Sequence, residues 1–196
     1  MTRLQNHGYK PSIETSKFDE LNPKIVEMIK NNNPTEFNYL SLSIRNHKQN
    51  SATSLPSDKD VVRYYLKNHL IEIDPLSCFE RMTTKKIITF YELSKYKNHG
   101  KCGETYMAHR NKSGLIHGFH YIHRHKDFSF TVVLGTDFKQ DGFATDEHLI
   151  EKNQDWVNSI IRKSLLILDE SKEMLLPGKG PHRAKYSKND NINILH

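Results

Sequence analysis

The residues best suited to chemistry are four histidines and an aspartate in the segment GLIHGFHYIHRHKD, namely His117, His120, His123, His125 and Asp127. Side chains on a strand alternate between its two faces, so His120 points away from the other three histidines. The spacing of His123 and His125 lets both imidazoles reach one metal ion, but no third ligand is apparent, and the neighbouring Arg124 and Lys126 repel a dication. The pattern therefore favours a solvated β-hairpin and no metal site.

A Cys/His pair is the second candidate for catalysis. Cys102 lies in the segment KCGE at the start of a predicted helix, where the helix dipole favours a thiolate, and His99 lies three residues earlier. The sequence contains no Gly-x-Ser-x-Gly nucleophile turn, no phosphate-binding glycine loop and no His-Glu-x-x-His motif. We therefore expect no enzymatic activity and no cofactor, and a metal- or Cys/His-dependent enzyme is the weakest of the functions considered.

The segment YYLKNHLIEIDP contains the carboxylate best placed to bind a ligand. Asp74 precedes Pro75, which excludes the α conformation at Asp74 and turns the chain sharply among apolar residues. Tyr65 lies upstream, near the end of an amphipathic helix. A buried carboxylate needs hydrogen-bond donors. Either Asp74 caps a short helix that begins at Pro75, or it accepts an N–H of a ligand in a mostly apolar pocket.

Composition restricts the class of protein. The chain has 196 residues, 36% of them hydrophobic, and a mean hydropathy of −0.72; these values predict one domain with a hydrophobic core and exclude wholesale disorder. No stretch approaches the roughly 20 apolar residues of a membrane span, and the first residues contain no apolar signal core. Cys78 and Cys102 are too few for a disulfide scaffold. We expect a soluble, cytoplasmic protein with reduced thiols and no membrane contact.

The net charge of +6 is concentrated at the carboxyl end. Residues 177–196 hold four basic residues and one acidic residue, and so contribute half of that charge. This Pro-, Gly- and Asn-containing segment is typical of a solvated, disordered tail rather than of a basic folded face that binds nucleic acid. Weak contact with an anionic surface and a role as a linker are the alternatives.

Hydrophobic periodicity predicts eight elements in an α/β order. Helices are predicted over 18–30, 57–69, 103–112 and 145–176, and strands over 36–44, 87–93, 115–125 and 128–135. The last two strands turn at Lys126-Asp127, and residues 45–56 are predicted as a surface loop. This order predicts a three-layer α-β-α sandwich with a mainly antiparallel central sheet. It divides the chain into a flexible arm over 1–17, a domain over 18–176 and a tail over 177–196.

The sequence resembles the ligand-binding domain of LuxR-type quorum-sensing regulators over roughly residues 18–175. The resemblance rests on YYLKNHLIEIDP, on SGLIHG before the hairpin, on the VVL that ends its second strand, and on the long last helix. It implies a non-enzymatic sensor domain that binds an acyl homoserine lactone or another small amphipathic ligand and takes part in transcription regulation as a homodimer. The alternative is a ligand-independent interaction protein that keeps the fold and pairs with other regulators or partner proteins.

The resemblance also implies three ligand contacts and one departure from the family. Asp74 matches the acid that accepts the ligand amide N–H, Tyr65 matches a tyrosine near the acyl carbonyl, and Gly118 matches a glycine that lets chain and ligand pack closely. The family's tryptophan donor to the lactone carbonyl matches Val61, which has no donor. Because a lost donor to a buried polar group costs about 1–3 kcal/mol, we expect simple acyl homoserine lactones to bind weakly.

Two further contacts are each implied for one of two neighbouring residues. An aromatic side chain that covers the lactone matches Phe90 or Tyr91. A hydroxyl that adds a polar contact matches Ser129 or Thr131.

A helix-turn-helix DNA-binding domain follows the ligand-binding domain in this family, whereas only 20 residues follow Leu176 here. The sequence therefore predicts no direct sequence-specific DNA binding by this chain, which is either a fragment of a longer regulator or a natural protein that lacks such a domain. The last predicted helix spans about 30 residues, or roughly 45 Å. Trp156 and Ile160 lie beside its main apolar stripe, and this surplus favours a homodimer.

Overall fold

The computed structural model describes residues 10–11, 15–30, 37–48, 51–68, 84–95, 97–98, 101–102, 108, 110–112, 114–136 and 146–175. The helices are α1 (Thr15–Lys30), α2 (Lys59–Lys67), α3 (Phe90–Lys95), α4 (Asp146–Lys152) and α5 (Gln154–Leu175). The strands are β1 (Lys10–Pro11), β2 (Tyr39–Asn46), β3 (Ser51–Pro56), β4 (Ile87–Thr89), β5 (Lys97–Asn98), β6 (Lys101–Cys102), β7 (His117–His125) and β8 (Phe128–Thr136). Residues 108 and 110–112, within the helix predicted over 103–112, are helical.

Six strands form one sheet in the order β1-β3-β2-β8-β7-β4. Neighbouring strands are antiparallel except β1 and β3, which run parallel. The hairpin of β7 and β8 turns at Lys126 and Asp127 as predicted, and Lys126 adopts a φ of 50° there. β5 and β6 pair separately as a short ribbon. The α/β fold with a mainly antiparallel sheet is therefore confirmed.

The main hydrophobic core lies on one face of this sheet. Its strand residues alternate along β2 and β8 and pair across them: Leu40 with Leu134, Leu42 with Val132, and Ile44 with Phe130. Helices α1, α4 and α5 supply the facing side chains, and in α1 these are Leu21, Ile25 and Ile29, at successive turns. Burial of apolar area is the dominant stabilising term in folding, so this apolar face holds the domain together.

Residues 51–56, predicted as part of a loop, form strand β3 instead. The segment SATSLP lacks the apolar alternation of a typical strand, but it pairs with β2 along its whole length, from Ser51 opposite Asn46 to Pro56 opposite Ser41. The hydroxyls of Ser41 and Ser43 each lie 3.0 Å from the hydroxyl of Ser54. Hydrogen bonds between hydroxyls on neighbouring strands thus help to hold β3 in the sheet, although its sequence lacks the hydrophobic pattern of a strand.

The strand predicted over 87–93 ends at Thr89, and a short helix follows. The Thr89 hydroxyl accepts the Glu92 backbone N–H at 3.1 Å, and the Glu92 carboxylate accepts the Thr89 N–H at 3.0 Å. This reciprocal pair is a capping box, and its Thr-x-x-Glu pattern is visible in the sequence. The cap starts α3 at Phe90 and so ends the strand early.

The predicted terminal helix is two helices that meet at Asn153. The Asn153 side chain donates to the Leu149 carbonyl at 2.9 Å, and its backbone N–H donates to the Ile150 carbonyl at 3.3 Å. A side-chain amide that competes for a helical carbonyl disturbs the ladder at that point. Helix α5 then continues for 22 residues, shorter than the single helix predicted.

Two short parts of the segment over 1–17, which was predicted as a flexible arm, have regular secondary structure. Lys10–Pro11 pairs with β3, and α1 begins at Thr15 rather than at residue 18. Pro23 therefore lies inside α1, where it removes one backbone donor, and the neighbouring Asn22 side chain donates to the Pro56 carbonyl at 2.9 Å. The tail over 177–196 lies outside the described residues. No helix in the described part of the chain is long and apolar enough to cross a membrane.

Candidate functional site

The second face of the sheet carries several polar side chains beside apolar ones, and most of these polar side chains are nevertheless buried. Its polar side chains project from the three central strands, β2, β8 and β7: Tyr39, Ser41, Ser43, Ser129, Thr131 and His120. We call this set the polar face. All six are buried except Ser43, which is half-buried. Buried polar groups are costly unless they are hydrogen-bonded, so a polar face beneath a covering layer demands an explanation.

Two short helices and a loop residue cover one end of the polar face. Phe90, the first residue of α3, and Leu115 form a buried cluster with Tyr39 and Val133 of the sheet. Val61 and Tyr64 of α2 are half-buried and pack against that cluster. The described covering layer therefore places apolar and aromatic side chains opposite hydroxyls, a combination typical of small-molecule sites.

A buried histidine and a buried arginine meet at this end of the polar face. The Arg110 Nη1 lies 3.3 Å from the His120 Nε2, and the Arg110 guanidinium carbon lies 3.8 Å from the centroid of the Phe90 ring. Burial, then the charges of Arg110 and Arg45, hold the pKa of His120 well below its usual value. His120 is therefore neutral near pH 7 and accepts a hydrogen bond from Arg110, a residue that only donates.

Two buried atoms of the polar face have no hydrogen-bond partner in the structure described: the Nδ1 of His120 and the Oγ1 of Thr131. Their residues are 2% and 1% exposed. His120 pairs in register with Val133, and Thr131 lies two residues along the same strand, β8, on the same face. Leaving such atoms unsatisfied costs about 1–3 kcal/mol each.

The remaining hydroxyls of the polar face have partners. Ser41 and Ser43 bond to Ser54, as described for β3. The Ser129 hydroxyl makes a short hydrogen bond with the Nε2 of His47, at the turn end of the sheet. Burial raises the pKa of Tyr39, while a hydrogen bond with Ser41 partly opposes the shift, so its phenol is neutral near pH 7.

A second polar cluster centres on Asp146, at the start of α4. Its carboxylate accepts the backbone N–H of Tyr91 at 2.9 Å and that of Gly118 at 3.0 Å, and it lies 3.1 Å from the His117 Nδ1. Burial raises the pKa of this carboxyl, and the two backbone bonds and His117 oppose that shift. Asp146 thereby joins α4 to β7 and to the first turn of α3, which carries Phe90.

Gly118 sits where β7 touches both β8 and Phe90. Its φ is 149°, and a Cβ there would lie 2.9 Å from the Cα of Gly135, 2.9 Å from the Phe90 Cε2, and closer still to the Leu134 carbonyl oxygen. Only glycine can adopt this φ without strain and also fit in the space between β8 and Phe90. The close approach at this glycine is to Phe90 and β8, and the predicted close approach to a ligand stays a prediction.

The structure places the other predicted ligand contacts in different surroundings. Phe90 is 1% exposed and adjoins the polar face, whereas Tyr91 is 61% exposed, with the Lys95 ammonium 4.9 Å from its ring centroid. Val61 packs against the covering cluster. Tyr65 belongs to α2, but its side chain lies outside what the structure describes, and Asp74 lies outside the described residues altogether.

Sequence reasoning missed several residues of this face. Arg110 and Tyr64 had no distinctive pattern, but Tyr39, Ser41 and Ser43 alternate strictly with apolar residues in YLSLSI. That alternation predicts one apolar and one polar face. It did not predict that the polar face would be buried.

Of the histidines considered for catalysis, His120 lies on the polar face, and His99 lies outside the described residues. The strand register puts His117, His123 and His125 on the face opposite His120, as predicted, but His120 is buried rather than solvated. Cys102 lies in β6, not at a helix start. Among the residues that the structure describes, no group of three His, Cys, Asp or Glu could hold a metal ion.

Comparison with known proteins identifies similar folds only. No protein-family model matches the sequence, and no curated protein does. The structure of SdiA in complex with octanoyl-rac-glycerol has a TM-score of 0.53 and 14% identity over 87% of this chain and 67% of that chain. Crystalline Escherichia coli SdiA gives a TM-score of 0.52 and 15% identity, with 90% of this chain and 68% of that chain covered.

A third structure is CepR2 from Burkholderia cenocepacia, an N-acylhomoserine lactone-dependent transcription factor of the LuxR family. It has a TM-score of 0.47 and 11% identity, with 83% of this chain and 97% of that chain covered. The fold implied by the sequence resemblance is confirmed by the two SdiA structures.

Proposed function

We propose that this chain is a non-enzymatic sensor domain that binds a small amphipathic ligand between the polar face of its sheet and the helical layer of α2 and α3. The observation that carries the proposal is the burial of the polar face with two unsatisfied atoms, on the side of the sheet opposite the main hydrophobic core. A protein whose second face only packed against helices would gain stability from apolar residues there. The similar fold of SdiA, whose structure contains octanoyl-rac-glycerol, supports this assignment.

The proposed site combines residues from the structure with residues that the sequence resemblance implies. Phe90 is the aromatic that we assign to the site, since Tyr91 is largely exposed. Thr131 is the hydroxyl that we assign to it, because its Oγ1 is unpartnered in the described structure, whereas Ser129 bonds to His47. Gly118 contributes by allowing Phe90 to approach β7.

Tyr65 and Asp74 are proposed as ligand contacts from the resemblance. Val61 adjoins the site and offers no donor to a lactone carbonyl. We therefore propose that the ligand is an acyl homoserine lactone-like or another acylated compound. We also propose that simple acyl homoserine lactones bind more weakly than acylated compounds whose head group accepts hydrogen bonds from donors other than the one missing at Val61.

Thermal unfolding with two probes tests the proposal. The probes are 1-octanoylglycerol and N-octanoyl homoserine lactone, each titrated against the wild-type chain and against Thr131→Val. A ligand at 100 times its Kd stabilises the folded state by about 2.7 kcal/mol, which raises the Tm by several degrees. We expect a rise with 1-octanoylglycerol and a smaller rise in Thr131→Val. Absence of any shift with both probes at their solubility limits would refute the ligand-sensing function.

The second candidate is a ligand-independent interaction protein that forms dimers. Leu166 on α5 is 56% exposed, whereas the other large apolar side chains of this helix as far as Leu168 are buried or half-buried. We propose a homodimer that uses this side of α5 in either function. Light scattering at micromolar concentration tests it: a mass near 22.9 kDa at every concentration, with and without ligand, contradicts the dimer.

A further inference from the structure

We infer that His120 donates its Nδ1 hydrogen to an oxygen acceptor in the polar head of the ligand, and that Arg110 fixes the tautomer that makes this possible. The inference rests on the proposed ligand-binding function and deepens it. It assigns the direction of one hydrogen bond and the chemical class of the group that receives it. Neither residue belongs to the set of ligand contacts that the sequence resemblance implies.

The tautomer follows from the contact with Arg110. A guanidinium has five N–H donors and no acceptor, so the His120 Nε2, 3.3 Å from the Arg110 Nη1, must present its lone pair. A neutral imidazole with its lone pair on Nε2 carries its hydrogen on Nδ1. Burial and the nearby positive charges independently keep this ring neutral, as the lowered pKa of His120 indicates.

The Nδ1 donor is the unsatisfied atom. No residue that the structure describes accepts a hydrogen bond from it, although His120 is 2% exposed. Buried N–H groups are nearly always satisfied, by protein, by ordered water or by a ligand. The unliganded protein already bears the free-energy cost of this unsatisfied N–H. A ligand that supplies an acceptor would remove that cost, and the free energy regained would add to the affinity.

The position of His120 agrees with a ligand-binding role. Its ring centroid is 5.5 Å from that of Phe90, which forms part of the covering layer. The other unsatisfied atom, the Thr131 Oγ1, belongs to a diagonal neighbour on the adjacent strand. These two unsatisfied polar atoms, of which the one in His120 lies beside the Phe90 ring, mark the polar end of the proposed site.

The surroundings also select the kind of head group. The His120 donor requires an oxygen acceptor such as an ester, amide or lactone carbonyl, or a hydroxyl. The Arg110 charge next to it disfavours an ammonium group, which would be repelled and would offer only donors. The inferred ligand therefore carries an oxygen acceptor in a head group without positive charge, together with an apolar chain.

Two variants of His120 separate the two functions of its ring. In His120→Gln, the side-chain oxygen can occupy the position of Nε2 and accept from Arg110, but no donor replaces Nδ1. In His120→Asn, the amide nitrogen can occupy the position of Nδ1 and donate. Titration calorimetry with 1-octanoylglycerol is expected to give a Kd about 10- to 100-fold weaker for His120→Gln than for wild type, and a smaller loss for His120→Asn. Urea unfolding of each variant verifies that it folds.

Nitrogen-15 NMR of the wild-type chain, labelled at histidine, provides a test that needs no variant. The expected result is a neutral His120 with its hydrogen on Nδ1, whose resonance shifts and becomes protected from exchange when 1-octanoylglycerol is added. A hydrogen on Nε2, or an Nδ1 resonance unchanged in the ligand-bound protein, overturns the inference and leaves the sensor function intact. Failure of the wild-type chain to bind either 1-octanoylglycerol or N-octanoyl homoserine lactone overturns the function itself, and the inference with it.

Discussion

Replacement of Gly118 by alanine tests how the sheet and the covering layer are joined. Gly118 is buried in β7 with a φ of 149°, a conformation that side chains with a Cβ rarely adopt. The new methyl group would lie 2.9 Å from the Phe90 Cε2 and 2.9 Å from the Gly135 Cα, and it would overlap the Leu134 carbonyl oxygen. Phe90 can move aside, but the backbone of β8 lies in the centre of the sheet and cannot do so without breaking the pairing of β7 with β8.

Two separate terms set the size of the effect. A residue held in a rarely adopted backbone conformation costs about 1–3 kcal/mol. Overpacking of a tight interior by one methyl group costs about 1–3 kcal/mol more, and contact with backbone places this site at the upper end. The sum, about 3–6 kcal/mol, is a large part of the roughly 5–15 kcal/mol by which domains are stable. For a domain of this size it lowers the Tm by about 10–20 °C.

Gly114→Ala is the matched control. Gly114 also has a positive φ, of 90°, but a Cβ there meets nothing within 4 Å. Only the backbone term applies, so we expect a loss of about 1–2 kcal/mol. Urea unfolding at pH 7 measures both variants. If Gly118→Ala loses no more stability than Gly114→Ala, the close packing of β7, β8 and Phe90 does not exist as described.

Three further predictions concern the buried polar groups. Because the pKa of His120 is lowered in the folded chain, its ring binds a proton below about pH 6.5 in the unfolded chain but not in the folded chain. The free energy of unfolding should therefore fall by up to about 1.4 kcal/mol for each unit by which the pH is lowered in that range. Urea titrations at pH 5–7 should show this contribution to the slope in wild type and its loss in His120→Gln. Because the pKa of Asp146 is raised, its contribution to stability is greatest below the unfolded-state pKa and is lost as pH rises through the folded-state pKa. The free energy of unfolding of wild type minus that of Asp146→Asn should therefore be more positive at pH 4 than at pH 7. An equal value at the two pH values would contradict the raised pKa. Thr131→Val removes an unsatisfied buried hydroxyl with little change of volume, and should raise the ligand-free unfolding free energy by about 1 kcal/mol while weakening ligand binding; a loss of stability would mean that Thr131 has a partner.

Helices and strands whose own residues show a clear hydrophobic periodicity could be predicted from the sequence. The amphipathic residues of α1 and α2 and the alternation in the β7–β8 hairpin identified these elements within a few residues, whereas the single helix predicted over 145–176 is α4 and α5. Strand β3 could not be predicted, because its Ser and Thr side chains become informative only when β2 is beside them. The α3 start could have been found, since Thr89 and Glu92 form a capping box with a recognisable spacing.

The candidate site was less predictable than the fold. Phe90, Gly118 and Thr131 could be nominated from the sequence resemblance, yet the choice of Phe90 over Tyr91 and of Thr131 over Ser129 depends on exposure and on contacts that the structure shows. Alternation in the sequence predicts which face of a strand a residue occupies, but not whether that face is covered. For the same reason the histidine cluster looked solvated, although His120 faces a helical layer.

Under the proposed function, the two faces of the sheet divide stability and binding between them. The apolar face, covered by α1, α4 and α5, carries most of the buried apolar side chains that the structure describes, and two smaller hydrophobic clusters lie on the second face. The polar face instead retains unsatisfied atoms at His120 and Thr131, each of which costs free energy that apolar substitutes would avoid. Sites that keep such a cost are commonly those where function opposes stability. A ligand whose acceptor and donor groups satisfy both atoms recovers that cost only when bound, so the same defect that weakens the free domain contributes to affinity for the ligand.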